Sequence, residues 1–457
     1  MASLLFNTTE CRVGVVGLAN AGKTSLLTSL IHHLKEHDPD RFRFAGGEAT
    51  IRKFTQRLPD EGWPQFDFSG CQNAVVRDGK WPARTFDRSM YSCSFQRTDW
   101  RFSDAVLKLY DLPGERIADA AMLLGGFAEW SDRMLAHFRT DTPYRTASAE
   151  YMAVVGGASA TESEILRTYR LALARLAHSC KPLISPSTFL LDTCGSGARK
   201  SDPPEALAES RVCGIDEANQ FAPLPPETRM ANSELAATFA TRYDQYKAKV
   251  AVPFLGALRS CHALVVLVDV TTLLAGGPGM YNDNRQIIRD LFEVLRPGEN
   301  TFQKIGRKLS YLLLPHQLRP AWVNRVAFVA PKLDIVHPVD RDRVLFLLKR
   351  MVGKLAGDHD GLKAGFFSCS AGVSTKVMPL TDDERWMVGI PARDADRNRI
   401  ARGAEQRFRV SAVPDDWPTD WPTGKFSFPE VYPTMPPRLD CPPEQINLEK
   451  VFDFVVV

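Results

Sequence analysis

The sequence predicts an α/β fold: a mainly parallel sheet with an inserted helical subdomain. Short, strongly apolar runs recur along the 457 residues and alternate with segments of helical periodicity. Such strands are buried on both faces, which is typical of a parallel sheet covered by helices. A largely helical stretch of roughly 150 residues separates two of these runs and is too long for a loop. We expect residues 116–259 to form a helical subdomain, inserted into a domain built from residues 1–115 and 260–457.

The chain opens with a strand, a glycine-rich loop and a helix. RVGVVG (Arg12–Gly17) is a β-branched run ending in glycine, and apolar side chains recur at helical spacing after Thr24. Four later runs have the composition of buried strands: residues 105–115, 263–270, 325–334 and 365–372. We expect residues 38–104 to be irregular and the proline- and tryptophan-rich tail from Met378 to wrap the core irregularly. LEKVFDFVVV closes the chain as a short helix or strand.

Composition indicates an ordinary soluble globular protein. Hydrophobic residues make up 44% of the chain and charged residues 24%, and the net charge is +3. This balance argues against nucleic acid or an anionic membrane as the main partner. The nine cysteines are dispersed without CxxC pairs, and the N-terminus lacks the pattern of a signal peptide. We therefore expect a cytoplasmic protein that does not insert directly into a membrane.

GLANAGKT (Gly17–Thr24) has the GxxxxGK[ST] pattern of a phosphate-binding loop, between a strand and an amphipathic helix. Its glycines let main-chain N–H groups turn toward phosphates, and the helix N-terminus favours an anion. Lys23 would neutralise the β and γ phosphates, Thr24 would bind Mg²⁺, and Ser25 would reach the α phosphate. The alternative is a glycine-rich turn with a surface lysine. The predicted nucleotide contacts of the loop are Gly17, Asn20, Ala21, Gly22, Lys23, Thr24 and Ser25.

DLPGE follows the apolar run AVLKLY and ends it in an acidic turn. A Mg²⁺–nucleotide site needs a carboxylate at the end of a neighbouring strand, which predicts a metal-binding role for Asp111. Gly114 would present a bare N–H group to the γ phosphate. Glu115 stands where many GTPases have a water-orienting glutamine; because its charge also repels phosphate, hydrolysis is expected to be slow or to need an added positive charge. The alternative is a strand-ending Asp-Pro-Gly turn.

KWPARTFD lies between the two motifs and supplies a candidate switch threonine. Thr85 would meet Mg²⁺ and the γ phosphate, and Arg84 is the first candidate for neutralising charge in the transition state. Arg77 and Arg88 are alternatives to Arg84, and any of the three could instead be an ordinary surface arginine.

PKLD (Pro331–Asp334) resembles the [NT]KxD motif that selects guanine. Asp334 would accept hydrogen bonds from N1–H and N2–H₂ of guanine, which adenine lacks, and Lys332 would lie along the base and ribose. Pro331 replaces the usual Asn or Thr and removes a tether to the phosphate loop. SCSA is placed like the loop whose N–H group meets the guanine oxygen, which predicts nucleotide contacts for Ser370 and Ala371.

Taken together, these segments resemble the YcjX-like family of stress-associated P-loop proteins, at the edge of the Ras-like GTPases. The resemblance covers nearly the whole chain and includes WPART, YDLPGE, LISPSTFLLD, the run from Tyr243 to Pro278, PKLD and the Trp/Pro-rich tail. It implies a Ras-like G-domain core with a helical insert, binding of GTP or GDP with Mg²⁺, and GTP hydrolysis. It also implies a bacterial stress-response role, with a membrane-associated or stress-response protein as candidate partner.

The resulting hypothesis is a slow Mg²⁺-dependent GTPase that works as a switch. The predicted catalytic set is Lys23, Thr85, Glu115 and Arg84, and the predicted metal ligands are Thr24, Thr85 and Asp111. Two alternatives stay open: an ATPase in which PKLD is a chance match, and an interaction module in which GTP orders the switch segments without useful turnover.

Several other side chains are expected to have structural roles. His32 and His33 lie late on the first helix and are expected to be solvated or half-buried, not metal ligands. Trp386, Trp417 and Trp421 are expected to cover an apolar surface of the core.

Overall fold

The computed structural model describes residues 9–17, 21–83, 88–100, 104–140, 142–157, 160–179, 203–210, 217–295, 323–357, 362–379, 384–394 and 399–456. Two compact units are present. One consists of residues 1–114, 257–281 and 297–457, and the other of residues 115–256 and 282–296. The domain boundaries expected from the sequence stay a prediction.

The first unit contains a seven-stranded sheet in the order β2-β3-β4-β1-β5-β6-β7. Its strands are β1 (Thr9–Gly17), β2 (Ile51–Arg57), β3 (Ser89–Arg97), β4 (Ala105–Asp111), β5 (Ala263–Leu267), β6 (Arg325–Ala330) and β7 (Lys363–Ser368). The four pairings from β4 to β7 are parallel, whereas β2–β3 and β3–β4 are antiparallel. The predicted α/β class with a mainly parallel sheet is confirmed.

Helices flank this sheet and close its core. Those of the first unit are α1 (Lys23–Glu36), α2 (Phe68–Val76), α11 (Arg341–Gly357) and α12 (Leu448–Val456). Apolar side chains of α1 and α12 pack with those of β1, β3, β4 and β5 in one buried cluster. The closing segment is therefore a helix, because its apolar residues recur every three to four positions on the face that meets the core.

Residues 38–104 are not irregular, and that expectation is wrong. They contain β2, β3 and α2. The helix α2 begins after Asp67, and the side chain of Asp67 accepts a hydrogen bond from the N–H of Gly70 (2.9 Å). β2 is an edge strand with mostly exposed side chains, so it lacks the alternation of a half-buried strand. β3 is mostly buried although its sequence SMYSCSFQR contains three serines, and this polarity hides it.

The second unit is helical in the residues described. Its helices are α3 (Phe127–Thr140), α4 (Thr142–Val155), α5 (Glu162–Ser179), α6 (Pro204–Ser210), α7 (Pro226–Ala231) and α8 (Ser233–Tyr246). Two further helices, α9 (Val252–Arg259) and α10 (Val270–Leu295), are divided between the two units, and α10 bends at Gly277. Buried aromatic rings form much of the core, with Trp130 packed edge-on against Phe221 at 5.3 Å between centroids. This aromatic core gives the unit its own hydrophobic centre.

The tail is more regular than expected. It contains β9 (Arg385–Gly389) and β10 (Gln406–Val410), which form a small antiparallel sheet with β8 (Thr375–Val377), the strand just before the tail. Beyond them, Trp421 is 2% exposed and donates from Nε1 to the oxygen of Leu274 (2.8 Å). No helix within the described ranges is long and apolar enough to cross a membrane.

The two histidines of α1 are buried, and the expectation that they are solvated or half-buried is wrong. Nε2 of His32 lies 2.8 Å from the oxygen of Leu439, and Nε2 of His33 lies 3.0 Å from the oxygen of Pro443. The C-terminal segment covers them, so their burial depends on residues some four hundred positions away.

Candidate nucleotide-binding site

Those predicted site residues that the structure describes lie at one edge of the sheet. Because β1, β4, β5, β6 and β7 run parallel, their carboxyl ends meet at the same edge. Gly17 pairs with Leu267, and Asp111 lies in register with Val15, two residues before the phosphate loop begins. In open α/β sheets this edge is where ligands bind.

The phosphate loop is shaped by two glycines and closed by Lys23. Gly17 approaches β5 so closely that a methyl group on it would lie 2.7 Å from Cβ of Leu267. Gly22 has φ +87° at the start of α1, in the left-handed region that disfavours other residues. Nζ of Lys23 donates to the oxygen of Gly17 (3.0 Å), so the ammonium lies at the entrance of the loop.

The other loop residues that the structure describes lie at the start of α1. Ala21 is buried, Thr24 and Ser25 are half-buried in the first turn of α1, and Asn20 lies outside the described residues. Ser25 and Ala371 line a common cleft beside α1. Ser25, which follows the phosphate loop, and the SCSA loop thus border the same cleft.

Gly114 presses against the phosphate loop. A methyl group on Gly114 would overlap the oxygen of Gly17 and Nζ of Lys23, far inside van der Waals contact. Asp111 is the last residue of β4, three positions before Gly114, and it is fully buried. The acidic turn and the phosphate loop are therefore adjacent, and only glycine fits where they touch.

Three predicted catalytic residues cannot be placed in full. Arg84 and Thr85 lie outside the described residues, and Glu115 is described only in its main chain, where a 3₁₀ segment (Gly114–Leu124) begins. Their assigned roles stay predictions.

Asp334 is a buried carboxylate with several internal partners. Oδ1 accepts from the hydroxyl of Ser370 (2.5 Å), and Oδ2 accepts from both the N–H (3.1 Å) and the hydroxyl of Ser374. The hydroxyl of Thr375 donates to its main-chain oxygen (2.5 Å). These bonds hold the turn after β6 against the loop after β7.

Lys332 occupies a strained main-chain position and forms an ion pair. Its φ is +62°, and Nζ lies 2.6 Å from Oδ2 of Asp269. Burial alone would raise the pKa of Asp269, but the charge and hydrogen bond of Lys332, with hydrogen bonds from Thr271 and Thr272, lower it to about 2. Asp269 is therefore ionised over the physiological pH range.

Asp269, Ser374 and Thr375 did not emerge from the motifs. Asp269 carried a usable signal, since an aspartate that follows a buried strand and lies two residues before Thr-Thr is typical of a helix N-cap at the ligand-binding edge. Ser374 carried none, because only the fold brings it to Asp334.

The strand order, the loop and the acidic turn are consistent with a P-loop GTPase-like fold. The model of the YcjX-like family, DUF463, matches residues 11–457, and the chain belongs to this family. The Ras-like GTPase YcjX of Shewanella oneidensis strain MR-1 is 24% identical over 402 residues, covering 80% of this chain and 76% of the relative. The Ras-like GTPase YcjX of Escherichia coli strain K12 is 23% identical over 479 residues, covering 97% and 95%.

Proposed function

We propose that this chain is a Mg²⁺-dependent GTP-binding protein that hydrolyses GTP slowly and acts as a nucleotide-controlled switch. The close approach of Gly114 to Gly17 and Lys23 carries the proposal. A γ phosphate has to be reached by both the phosphate loop and the DxxG turn, and these segments are adjacent here. The two relatives are named as Ras-like GTPases, which supports the same reaction class.

The oxygen donors at this edge suit Mg²⁺. Thr24 offers a hydroxyl and Asp111 a carboxylate, and Mg²⁺ is usually bound by one or two such groups plus waters and substrate phosphates. Thr85 completes the predicted set. When bound, Mg²⁺ would neutralise charge on the β and γ phosphates. Lys23 would leave the oxygen of Gly17 and donate to phosphate oxygens instead, exchanging a neutral acceptor for a charged one.

Hydrolysis requires an oriented water and stabilisation of charge on the γ phosphate. We assign water orientation to Glu115 and charge stabilisation to Lys23, the loop N–H groups and Arg84. A carboxylate beside the γ phosphate opposes further negative charge, which accounts for the slow rate proposed.

Guanine selection is assigned to Asp334, with a specific requirement. A carboxylate offers about four acceptor positions, and Oδ2 already accepts two hydrogen bonds from Ser374. A two-point contact with guanine therefore requires the Ser374 hydroxyl to rotate away, while Ser370 on Oδ1 leaves one position open. Lys332, Ser370 and Ala371 form the rest of the proposed base site.

Phosphate release tests the enzyme assignment. We expect Lys23→Ala to reduce the release of phosphate from GTP at least 10-fold, and Glu115→Ala to reduce it while GTP still binds. Lys35→Ala on the same helix is the matched control, since Lys35 pairs with Glu36 and is 45% exposed. GTP binding by the wild-type chain with no phosphate release above background would instead establish the interaction module.

Nucleotide competition tests the choice of base. Asp334→Asn should shift preference from GTP toward XTP, because an amide N–H matches the extra carbonyl of xanthine. Unchanged GTP affinity would contradict the guanine assignment. Equal binding of ATP and GTP by the wild-type chain would support the ATPase alternative.

The biological context follows from family resemblance alone. We propose a cytoplasmic stress-response role in which the nucleotide state controls binding of a protein partner, membrane-associated or otherwise. The nucleotide that co-purifies with the chain, identified by mass spectrometry, is the most direct first measurement.

A further inference from the structure

Asp269 has a saturated carboxylate at the ligand-binding edge. It follows β5 and precedes α10, next to the turn that ends β6. Oδ1 accepts from the Thr271 hydroxyl (2.7 Å) and the Thr272 N–H (3.0 Å), and Oδ2 accepts from the Thr272 hydroxyl (2.7 Å). The fourth donor is Nζ of Lys332 at 2.6 Å. Three bonds thus orient the carboxylate, and the fourth position is filled by the lysine.

Lys332 is fixed at both ends. Its main chain is held in the left-handed region, and its ammonium is bound to a carboxylate that is only 9% exposed. The lysine side chain itself is 35% exposed, so part of it faces solvent beside the proposed base site. A free lysine side chain would lose rotamer freedom on packing against a nucleotide, whereas this one has already lost it.

We propose that Asp269 is a positioning residue for nucleotide binding, which holds Lys332 in one orientation so that its aliphatic stem forms a preformed wall of the base and ribose site. The inference rests on the proposed function, since a wall matters only if a nucleotide binds there. It assigns to Asp269 a role that is separate from phosphate or metal binding.

The alternative is an ion pair that serves stability alone. Removing one partner of such a pair leaves the other buried or half-buried without compensation, which destabilises the fold whether or not a ligand binds. The two roles differ in how nucleotide affinity responds when both partners are changed.

A double-mutant cycle separates them. Asp269→Asn keeps the shape and the helix start but removes the charge, and Lys332→Met keeps the apolar stem but removes the ammonium. We expect Asp269→Asn to weaken GDP binding about 3- to 10-fold, because the binding reaction would then have to immobilise one long side chain. In the Lys332→Met background the same change should have no further effect. Asp416→Asn, at the exposed ion pair with Arg350, is the control and should leave GDP affinity unchanged.

Lysine acylation in the absence of nucleotide tests the fixation itself. Lys332 should react several-fold faster in Asp269→Asn than in the wild-type chain, as followed by peptide mass spectrometry, with Lys35 as internal reference. Unchanged reactivity, or an equal loss of GDP affinity with and without the Lys332 ammonium, would overturn the inference. If the wild-type chain binds GDP and Asp269→Asn binds it with the same affinity, only the inference about Asp269 is overturned. If the wild-type chain binds no nucleotide, the proposed function itself is contradicted.

Discussion

Gly114 lies against the main-chain oxygen of Gly17, so that the turn after β4 and the phosphate loop meet with no room for a side chain. The contact is main chain against main chain, and Lys23 lies beside it. Any residue larger than glycine must separate the two segments or displace the lysine.

We expect Gly114→Ala to lower the free energy of unfolding by about 1–3 kcal/mol, the usual cost of overpacking. It should also weaken binding of GTP more than GDP, since the γ phosphate is the group assigned to Gly114. Thermal unfolding and nucleotide titration measure the two effects. Gly353→Ala on α11 is the control, because a methyl group there meets nothing within 4 Å outside its own helix. Equal stability of both variants would contradict the packing account.

Ser374→Ala should separate the structural and recognition roles of Asp334. Loss of the hydroxyl removes one hydrogen bond from Oδ2 and should lower the free energy of unfolding by about 1–2 kcal/mol. GTP affinity should stay equal or rise, because an acceptor position on Oδ2 becomes available to guanine. A 10-fold fall in GTP affinity without loss of base preference would show that Ser374 supports Asp334 and does not compete with the base.

His32 and His33 should make stability fall in mild acid. Burial lowers the pKa of each to about 4 from an ordinary 6.5, against the opposing effect of a hydrogen-bonded main-chain oxygen. The unfolded chain then binds more protons between pH 6.5 and 4, so stability is complete above pH 6.5 and declines as the pH falls toward 4. Each histidine accounts for about 3 kcal/mol over this window.

His33→Gln should reduce that pH dependence, since glutamine keeps an N–H donor and does not titrate. Within the described residues, Nδ1 of His33 has no hydrogen-bond partner, so a proton added there is not compensated. Unfolding midpoints measured from pH 7.5 to 5 for His33→Gln and wild type should converge as the pH falls. Parallel curves would refute the assignment.

Trp421→Phe should destabilise the first unit by about 1–3 kcal/mol. Phenylalanine fills most of the space but cannot donate to the oxygen of Leu274, which is left buried without that bond. Trp417→Phe is a matched comparison, because Trp417 also donates to a main-chain oxygen, that of Leu347 (2.8 Å), but is less buried. The loss in thermal midpoint should be larger at Trp421 than at Trp417.

The predicted strands at residues 105–115, 263–270, 325–334 and 365–372 all correspond to strands of the sheet, although each strand ends three or four residues before the predicted run does. They were predictable because strands buried on both faces need continuous apolar side chains. β2 and β3 were missed for the opposite reason: one is an exposed edge strand, and the other buries serines.

The sequence by itself determined the loop–helix unit at Gly17–Thr24, the acidic turn after β4 and the mainly parallel class of the sheet, because each depends on neighbouring residues or on a repeating apolar pattern. Only the tertiary structure decided which groups surround Lys23, Lys332 and Asp334. Gly114, Asp269 and Ser374 reach them across the sheet edge, from positions 40 to 91 residues away along the chain. Contacts of that kind leave no periodic signal, since they arise from how strands are ordered in space and not from how residues follow one another.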